Sequence, residues 1–174
     1  MPEEVTNIQT LKFEPAHLNA AAALYFSAFT RPPWNDKGTV EQARKRLEEI
    51  YETRGSMGYV LQDQKSGEIV AVAIGCFESW LDFYNLKEFY VHPDRQNQRL
   101  GSKLLETITA EAFRNGARRI YGWTARNSGA EKFWLKMGFV PDSRDIIVCL
   151  NNPIGVVDQP TITHLAMPSP SNDT

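Results

Sequence analysis

Cysteine is scarce in this chain of 174 residues: two, Cys76 and Cys149, lie far apart in apolar surroundings. That spacing excludes a disulfide framework and suits buried reduced thiols. Histidine is equally thin, and His17, His92 and His164 stand isolated, so no metal-ligand cluster is expected. No excess of one charge is present either. Nineteen Lys and Arg against 21 Asp and Glu leave a formal charge of -2, which provides no broad basic field for a nucleic acid backbone. No apolar run approaches the roughly 18 residues of a membrane helix, and the acidic, polar first residues show no signal-peptide pattern. The chain is therefore expected to be cytoplasmic, with neither nucleic acid nor membrane as a partner. Internal repeats are missing, as is a G-x-G-x-x-G after a strand, so a Rossmann arrangement is not expected.

What is present suits a globular fold, with 42% hydrophobic and 23% charged residues. Residues 5–13 suggest a first strand, and Pro15 opens an Ala- and Leu-rich helix over 16–29. Two prolines and a turn cluster break it between Thr30 and Gly38; Trp34 in that loop is either a cap on the core or part of a binding wall. A second helix runs from Thr39, with Val40, Ala43, Leu47, Ile50 and Tyr51 as its apolar stripe and its charges on a solvated face. Strands are predicted at 58–62 and 68–77, the second apolar on both parities as for a covered central strand. Leu86 to Val91 reads as another strand, Leu100 onward as a helix, Arg119 to Ala125 as a strand, and Asn127 as the cap of a short helix ending near Met137. Last strands are expected at 139–140 and 146–150, so 1–150 forms one domain. The Pro-, Asn-, Ser- and Thr-rich 151–174 is an extension whose last part is expected to be poorly ordered. Three consecutive strands imply an antiparallel meander, and the later strand–helix–strand unit a parallel pair beside it.

The stretch from Leu86 to Leu105 organises the rest. A strand, a polar connection and a helix start in that order can bind an anion, because the first turn has unpaired N–H groups and the positive end of the dipole. Gly101 there removes a Cβ that would otherwise obstruct an anion. An ordinary strand-to-helix connection fits the same pattern.

Two motifs decide between these. Gln96-Asn-Gln-Arg-Leu-Gly101, after Val91-His-Pro-Asp94, resembles the acetyl-CoA pyrophosphate loop of the GNAT superfamily, written Q/R-x-x-G-x-G/A. Asn127-Ser-Gly-Ala-Glu-Lys-Phe-Trp134-Leu-Lys-Met-Gly-Phe139 resembles that family's N-x-x-A-x-x-hydrophobic-Tyr-x-x-x-G-F. The resemblance spans about 5–150. It implies a mixed α/β sheet of six or seven strands, mostly antiparallel, with one parallel pair splayed to admit CoA and helices on both faces. It also implies an acyltransferase moving acetyl from acetyl-CoA directly to a primary amine of a small molecule or peptide, by a ternary complex, with a homodimer as a family-level expectation.

Carried onto this chain, the family's cofactor contacts fall on backbone groups of Gln96, Asn97, Gln98, Arg99, Leu100, Gly101 and Ser102 for the pyrophosphate. Phe89, Tyr90 and Val91 fall beside the pantetheine arm, with Asn127, Phe133 and Trp134 across from them; Asn127 is alternatively an N-cap alone. Glu88 is the candidate general base. A lysine-like amine, with pKa near 10.4, is neutral in fewer than about one molecule per thousand at pH 7, so a base is useful. A salt-bridged or merely exposed strand glutamate is the competing role.

Two departures from the pattern stand out. Arg99 replaces a glycine, which costs about 1–2 kcal/mol if φ is positive there, and offers a guanidinium to a phosphate. Trp134 replaces the tyrosine that protonates the departing thiolate, and an indole N–H is no acid at neutral pH. Trp134 thus suits a packing wall, with Tyr84, Tyr90 and Ser128 as substitute donors. These departures keep open a second class of function, a CoA-binding sensor with weakened catalysis; a toxin acting on aminoacyl-tRNA is disfavoured by the -2 charge. On the acceptor side Trp34, Asp36 and Glu78, with Asp82 and Asp145, could attract a cationic amine.

Overall fold

The computed structural model describes residues 7–32, 34–78, 82–125 and 127–141, and the backbone of 162–167. In chain order the elements are β1 (Ile8–Lys12), a 3-10 turn (Pro15–His17), α1 (Leu18–Phe29), α2 (Val40–Glu52), β2 (Ser56–Asp63), β3 (Ile69–Glu78) and β4 (Phe83–Val91). A second 3-10 turn (Pro93–Arg95), α3 (Leu100–Arg114), β5 (Arg119–Ala125), α4 (Gly129–Lys136), β6 (Val140–Pro141) and β7 (Ile162–Met167) follow. The strands form one sheet in the order β1-β2-β3-β4-β5-β7-β6. Neighbours are antiparallel except β4 and β5. This is the mixed, mostly antiparallel α/β class that the sequence implies.

Each face of the sheet has its own core. On one, α1 and α2 bring Leu18, Ala22 and Leu47 against Val60, Val72 and Ile74. On the other, α3 brings Leu104, Leu105 and Ile108 against Leu61, Ala71 and Leu86, with Trp134 and Phe139 beside them. β3 runs between the layers and is buried from Ile69 to Cys76, which explains its apolar residues on both parities. Start signals hold locally. Thr39 caps α2 in a reciprocal box with Gln42, and Pro15 opens the turn that leads into α1.

Two local expectations change. Ser128, not Asn127, is the N-cap of α4: its side chain accepts from Glu131 N, while Asn127 sits one residue earlier with φ 59°. The strand expected at 146–150 lies outside the described residues, as do Cys149 and Asp145. Part of the expected extension instead supplies β7, which runs antiparallel along β5 from Ile120↔Met167 to Ala125↔Ile162.

One irregularity in β4 positions the site. Ile74 faces Glu88 and Gly75 faces Leu86, so Lys87 is an extra residue, a β-bulge. Because side chains alternate, one added residue exchanges the faces beyond it. Tyr84 and Leu86 pack on the α3 side, whereas after the bulge Tyr90 packs on the α1–α2 side and Phe89 and Val91 on the α3 side. The bulge needs Gly75, since a Cβ there would lie 2.1 Å from Asn85 O. Gly75→Ala is expected to destabilise the fold by about 1–3 kcal/mol or more. Urea denaturation checks this, and wild-type stability in the variant would show that the bulge does not depend on the glycine.

Candidate active site

Beyond the bulge, β4 and β5 part. Their parallel ladder comprises Phe83↔Arg119, Tyr84↔Ile120 and Asn85↔Tyr121 and then stops, although β4 continues to Val91 and β5 to Ala125. The result is a fork opening toward the carboxyl ends of both strands, with the starts of α3 and α4 just beyond it. His92 N donates to Val70 O at 2.8 Å across the β3 edge. Main-chain groups alternate along a strand, so those of Phe89 and Val91 turn to the open edge. Thr124 Oγ1 and Asn85 Oδ1, both on the forked strands, are buried without a hydrogen-bond partner. Unpaired strand edge and orphaned polar atoms together fit an extended, amide-bearing arm.

At the mouth of the fork lies the polar loop. Arg95 ties it down: Nε donates to Gln98 Oε1 at 2.8 Å and Nη1 to Asp63 Oδ2 at 3.1 Å. Asn97 and Arg99 both take left-handed backbone, with φ 64° and 61°. Arg99 therefore carries the strain that its replacement of glycine implied, and it caps α3 without a side-chain hydrogen bond. The N–H groups of Leu100, Gly101 and Ser102 precede the first intrahelical donor, Lys103 N to Arg99 O, and no described residue accepts from them. An anion can take those bonds. A Cβ on Gly101 would meet the Phe133 ring at 3.4 Å and Val91 Cγ2 at 3.6 Å, ordinary contact distances, so the chain's own packing does not demand the glycine. Of the expected cofactor contacts, Gln96 and Asn97 are exposed and the Gln98 side chain is held by Arg95. Leu100 offers only its backbone. Phe133 stacks on Phe89 with centroids 5.8 Å apart. Tyr90 is the exception, because its ring lies on the α1–α2 side and Oη donates to Ala21 O at 2.9 Å, away from the fork.

The bulge also turns Glu88 to the α1–α2 side, where it is 6% exposed. Its Oε1 accepts from Arg46 Nε of α2. Burial pushes the Glu88 carboxyl above its ordinary value, Arg46 pulls it back in part, and Asp36 adds to the rise. Arg46 lines a cavity of about 360 Å³ together with Tyr25, Phe26, Phe29, Thr30, Asp36 and Gln42. The Tyr25 hydroxyl in that wall is pushed up to about 12 by burial and then by the Glu88 charge. Trp34 backs the wall, edge-on to Phe29 with centroids 5.4 Å apart. Asp36 lines the cavity and accepts from Gly38 N at 2.8 Å, whereas Glu78 and Asp82 are not among the lining residues.

Comparison with known proteins names this arrangement. The model of the acetyltransferase (GNAT) family matches residues 18–139. The chain belongs to the GNAT acetyltransferase family. This acetyltransferase is 30% identical over 140 residues to the L-methionine sulfoximine/L-methionine sulfone acetyltransferase of Salmonella typhimurium, covering 75% of this chain and 79% of the relative. It is 32% identical over 130 residues to the L-amino acid N-acyltransferase MnaT of Escherichia coli, covering 70% and 73%. In fold it matches the ribosomal-protein-S18-alanine N-acetyltransferase of Escherichia coli with a TM-score of 0.71, 22% identity and coverage of 95% and 97%.

Trp134 in the acetyltransferase is 5% exposed and packs between Phe89 and Phe139, each with ring centroids 4.9 Å away. The three substitute donors are committed elsewhere. Tyr84 Oη donates to Met57 O at 2.7 Å, Tyr90 to Ala21 O, and Ser128 Oγ to Ala125 O at 2.6 Å. Burial raises both tyrosines well above their ordinary values.

Sequence reasoning missed Arg46 by assigning every charge of α2 to the solvated face. Its position carried the signal: with Ala43, Leu47 and Ile50 it completes the i, i+3, i+4, i+7 stripe, all three neighbours being buried. Ionised Glu88 opposes folding, because its folded pKa lies above the ordinary 4.5. The stability that its protonated form retains is full below that value and is lost as pH rises through the raised one. Glu88→Gln is therefore expected to be at least as stable as wild type at pH 7 to 8, with the difference closing as pH falls below 4.5. Thermal melts across pH check the sign, and a variant less stable at neutral pH would contradict it.

Proposed function

We propose that this acetyltransferase transfers acetyl from acetyl-CoA directly to the primary amine of a small molecule, with Glu88 as general base. Acetyl-CoA, when bound, supplies the acetyl group as an activated thioester. The carrying observation is the bulge, which turns one buried carboxylate to the α1–α2 side, where it meets Arg46 of the cavity wall, and the next residues toward the open fork. The names of the two sequence relatives, one acting on methionine sulfoximine and sulfone and one on L-amino acids, favour a small-molecule acceptor over a peptide.

The chain's residues then divide the work. The free N–H groups of Leu100 to Ser102, with Asn97 and Arg99 shaping the loop, would hold the pyrophosphate. The turned-out backbone of Phe89 and Val91 would pair with the pantetheine arm, with Asn127 exposed across the fork and Phe133 and Trp134 as its wall. Glu88 takes the ammonium proton and leaves the neutral amine to act as nucleophile. Its raised pKa suits a base that must work near neutrality. With Trp134 in the tyrosine's place and the nearby hydroxyls engaged, solvent supplies the proton to the departing thiolate. A thiol of pKa about 8.5 leaves tolerably without a protein acid. The sensor alternative is less favoured, since both named relatives are enzymes.

Calorimetric titration should show acetyl-CoA binding, and thiol release should appear with at least one amine of a panel. Glu88→Gln should lower kcat by about 10²–10⁴-fold while acetyl-CoA affinity stays near wild type. Unaltered turnover removes Glu88 from the role; binding without thiol release on any amine favours the sensor.

A further inference from the structure

Arg46 does more than neutralise a buried carboxylate requires. Guanidinium and carboxylate frequently pair through two parallel bonds, which would occupy both arms of the fork. Here Nε alone binds Glu88 Oε1, and Nη1 and Nη2 make no hydrogen bond to a described residue. The Arg46 side chain is 55% exposed and lines the cavity, while that of Glu88 is 7% exposed and reaches that wall through Arg46 Nε. The other charged group of the cavity wall, Asp36, is engaged with Gly38 N of its own loop. Phe26, Phe29 and Ala43 give that wall apolar surface, interleaved with the polar side chains of Thr30, Thr39 and Gln42.

We propose that Arg46 is the specificity-determining residue for the acceptor, its two free Nη groups receiving a carboxylate while Nε holds Glu88, so that the acceptor is an α-amino acid. This rests on the function proposed above and assigns its substrate class. Arg46 and Glu88 form, side by side, the charge complement of a zwitterion. In an α-amino acid the amine and the carboxylate share one carbon. A carboxylate seated on the Arg46 fork therefore brings its own ammonium beside Glu88, the group that must take its proton. The same cation acts against rivals. A polyamine or any carboxylate-free amine places its positive charge against Arg46 without compensation, which selects by repulsion as well as by attraction. The expectation of a cationic acceptor, raised by the acidic residues of the sequence, is thereby replaced by a zwitterionic one.

The test pairs each α-amino acid of a panel with apolar side chains with its own carboxamide and its decarboxylated amine, and reads kcat/KM by thiol release. For the best acceptor the free acid should exceed its carboxamide by about 10²-fold, as expected for loss of a charge-assisted pair. Arg46→Gln should bring that ratio to within a few-fold of one, chiefly through KM of the acid; Arg46→Lys should restore part of it. Calorimetry with saturating coenzyme A gives a readout apart from turnover, in which Arg46→Gln loses binding of the acid and keeps binding of the coenzyme. Wild type using acid and carboxamide equally, or Arg46→Gln and Arg46→Lys lowering both in equal proportion, overturns the assignment. Turnover of carboxylate-free amines alone overturns it and leaves the proposed acetyl transfer standing. Coenzyme binding with no turnover of any amine overturns both.

Discussion

The constraint on which the site depends is the phase shift of β4 at Lys87. Alternation is strict in a pleated strand, so without an extra residue Glu88 would follow Tyr84 and Leu86 onto the α3 side, into an apolar core. With it, Glu88 meets Arg46 of α2, and Phe89 and Val91 join Phe133 and Trp134 on the opposite side. The open edge that follows is the second half of the same device. Apart from Lys87, β4 stays paired to β3 from Phe83 to Val91, so it can leave β5 after Asn85 without losing its place in the sheet. The proposed acceptor side and the proposed cofactor side thus lie on the two faces of one strand, separated by a single residue.

Several unfavourable features gather at this end of the molecule. A carboxylate is almost fully buried with one donor, Asn97 and Arg99 hold left-handed backbone, and Thr124 and Asn85 each leave a buried oxygen unpaired. None would be selected for stability alone, and strain and unsatisfied groups concentrate where a ligand is to be received. The two cores offset them. Val60, Leu61, Val72, Ile74, Leu104, Leu105 and Ile108 are wholly buried and lie in regular elements beside the fork.

Much of this was legible in the residues. Period-2 and period-3.6 patterns located most elements to within a few positions, since β3 is apolar on both parities and α3 has one stripe. The loop from Gln96 to Gly101 and the run from Asn127 to Phe139 carried the family, because a backbone cradle and a helix–strand contact restrict residue type locally. Arg99 in a left-handed position was foreseen as a cost. Other features were not legible, for reasons of the same kind. Asn127 and Ser128 are both good caps, and only the backbone between β5 and α4 selects Ser128. Tyr90 sits within the cofactor stretch by number, yet pleating turns it to α1. Ile162–Met167 lacks a motif, and its role as β7 depends on the free edge of β5.

By itself, then, the sequence determined the local facts: which segments are helical or extended, where a helix start can receive an anion, and which family the chain belongs to. Each depends on neighbours a few positions apart. Tertiary structure alone decided the long-range ones. Glu88 and Arg46 lie 42 residues apart and meet only because a bulge and a helical stripe converge on them. A charge partner is a matter of distance in space, and no periodicity within either segment encodes it.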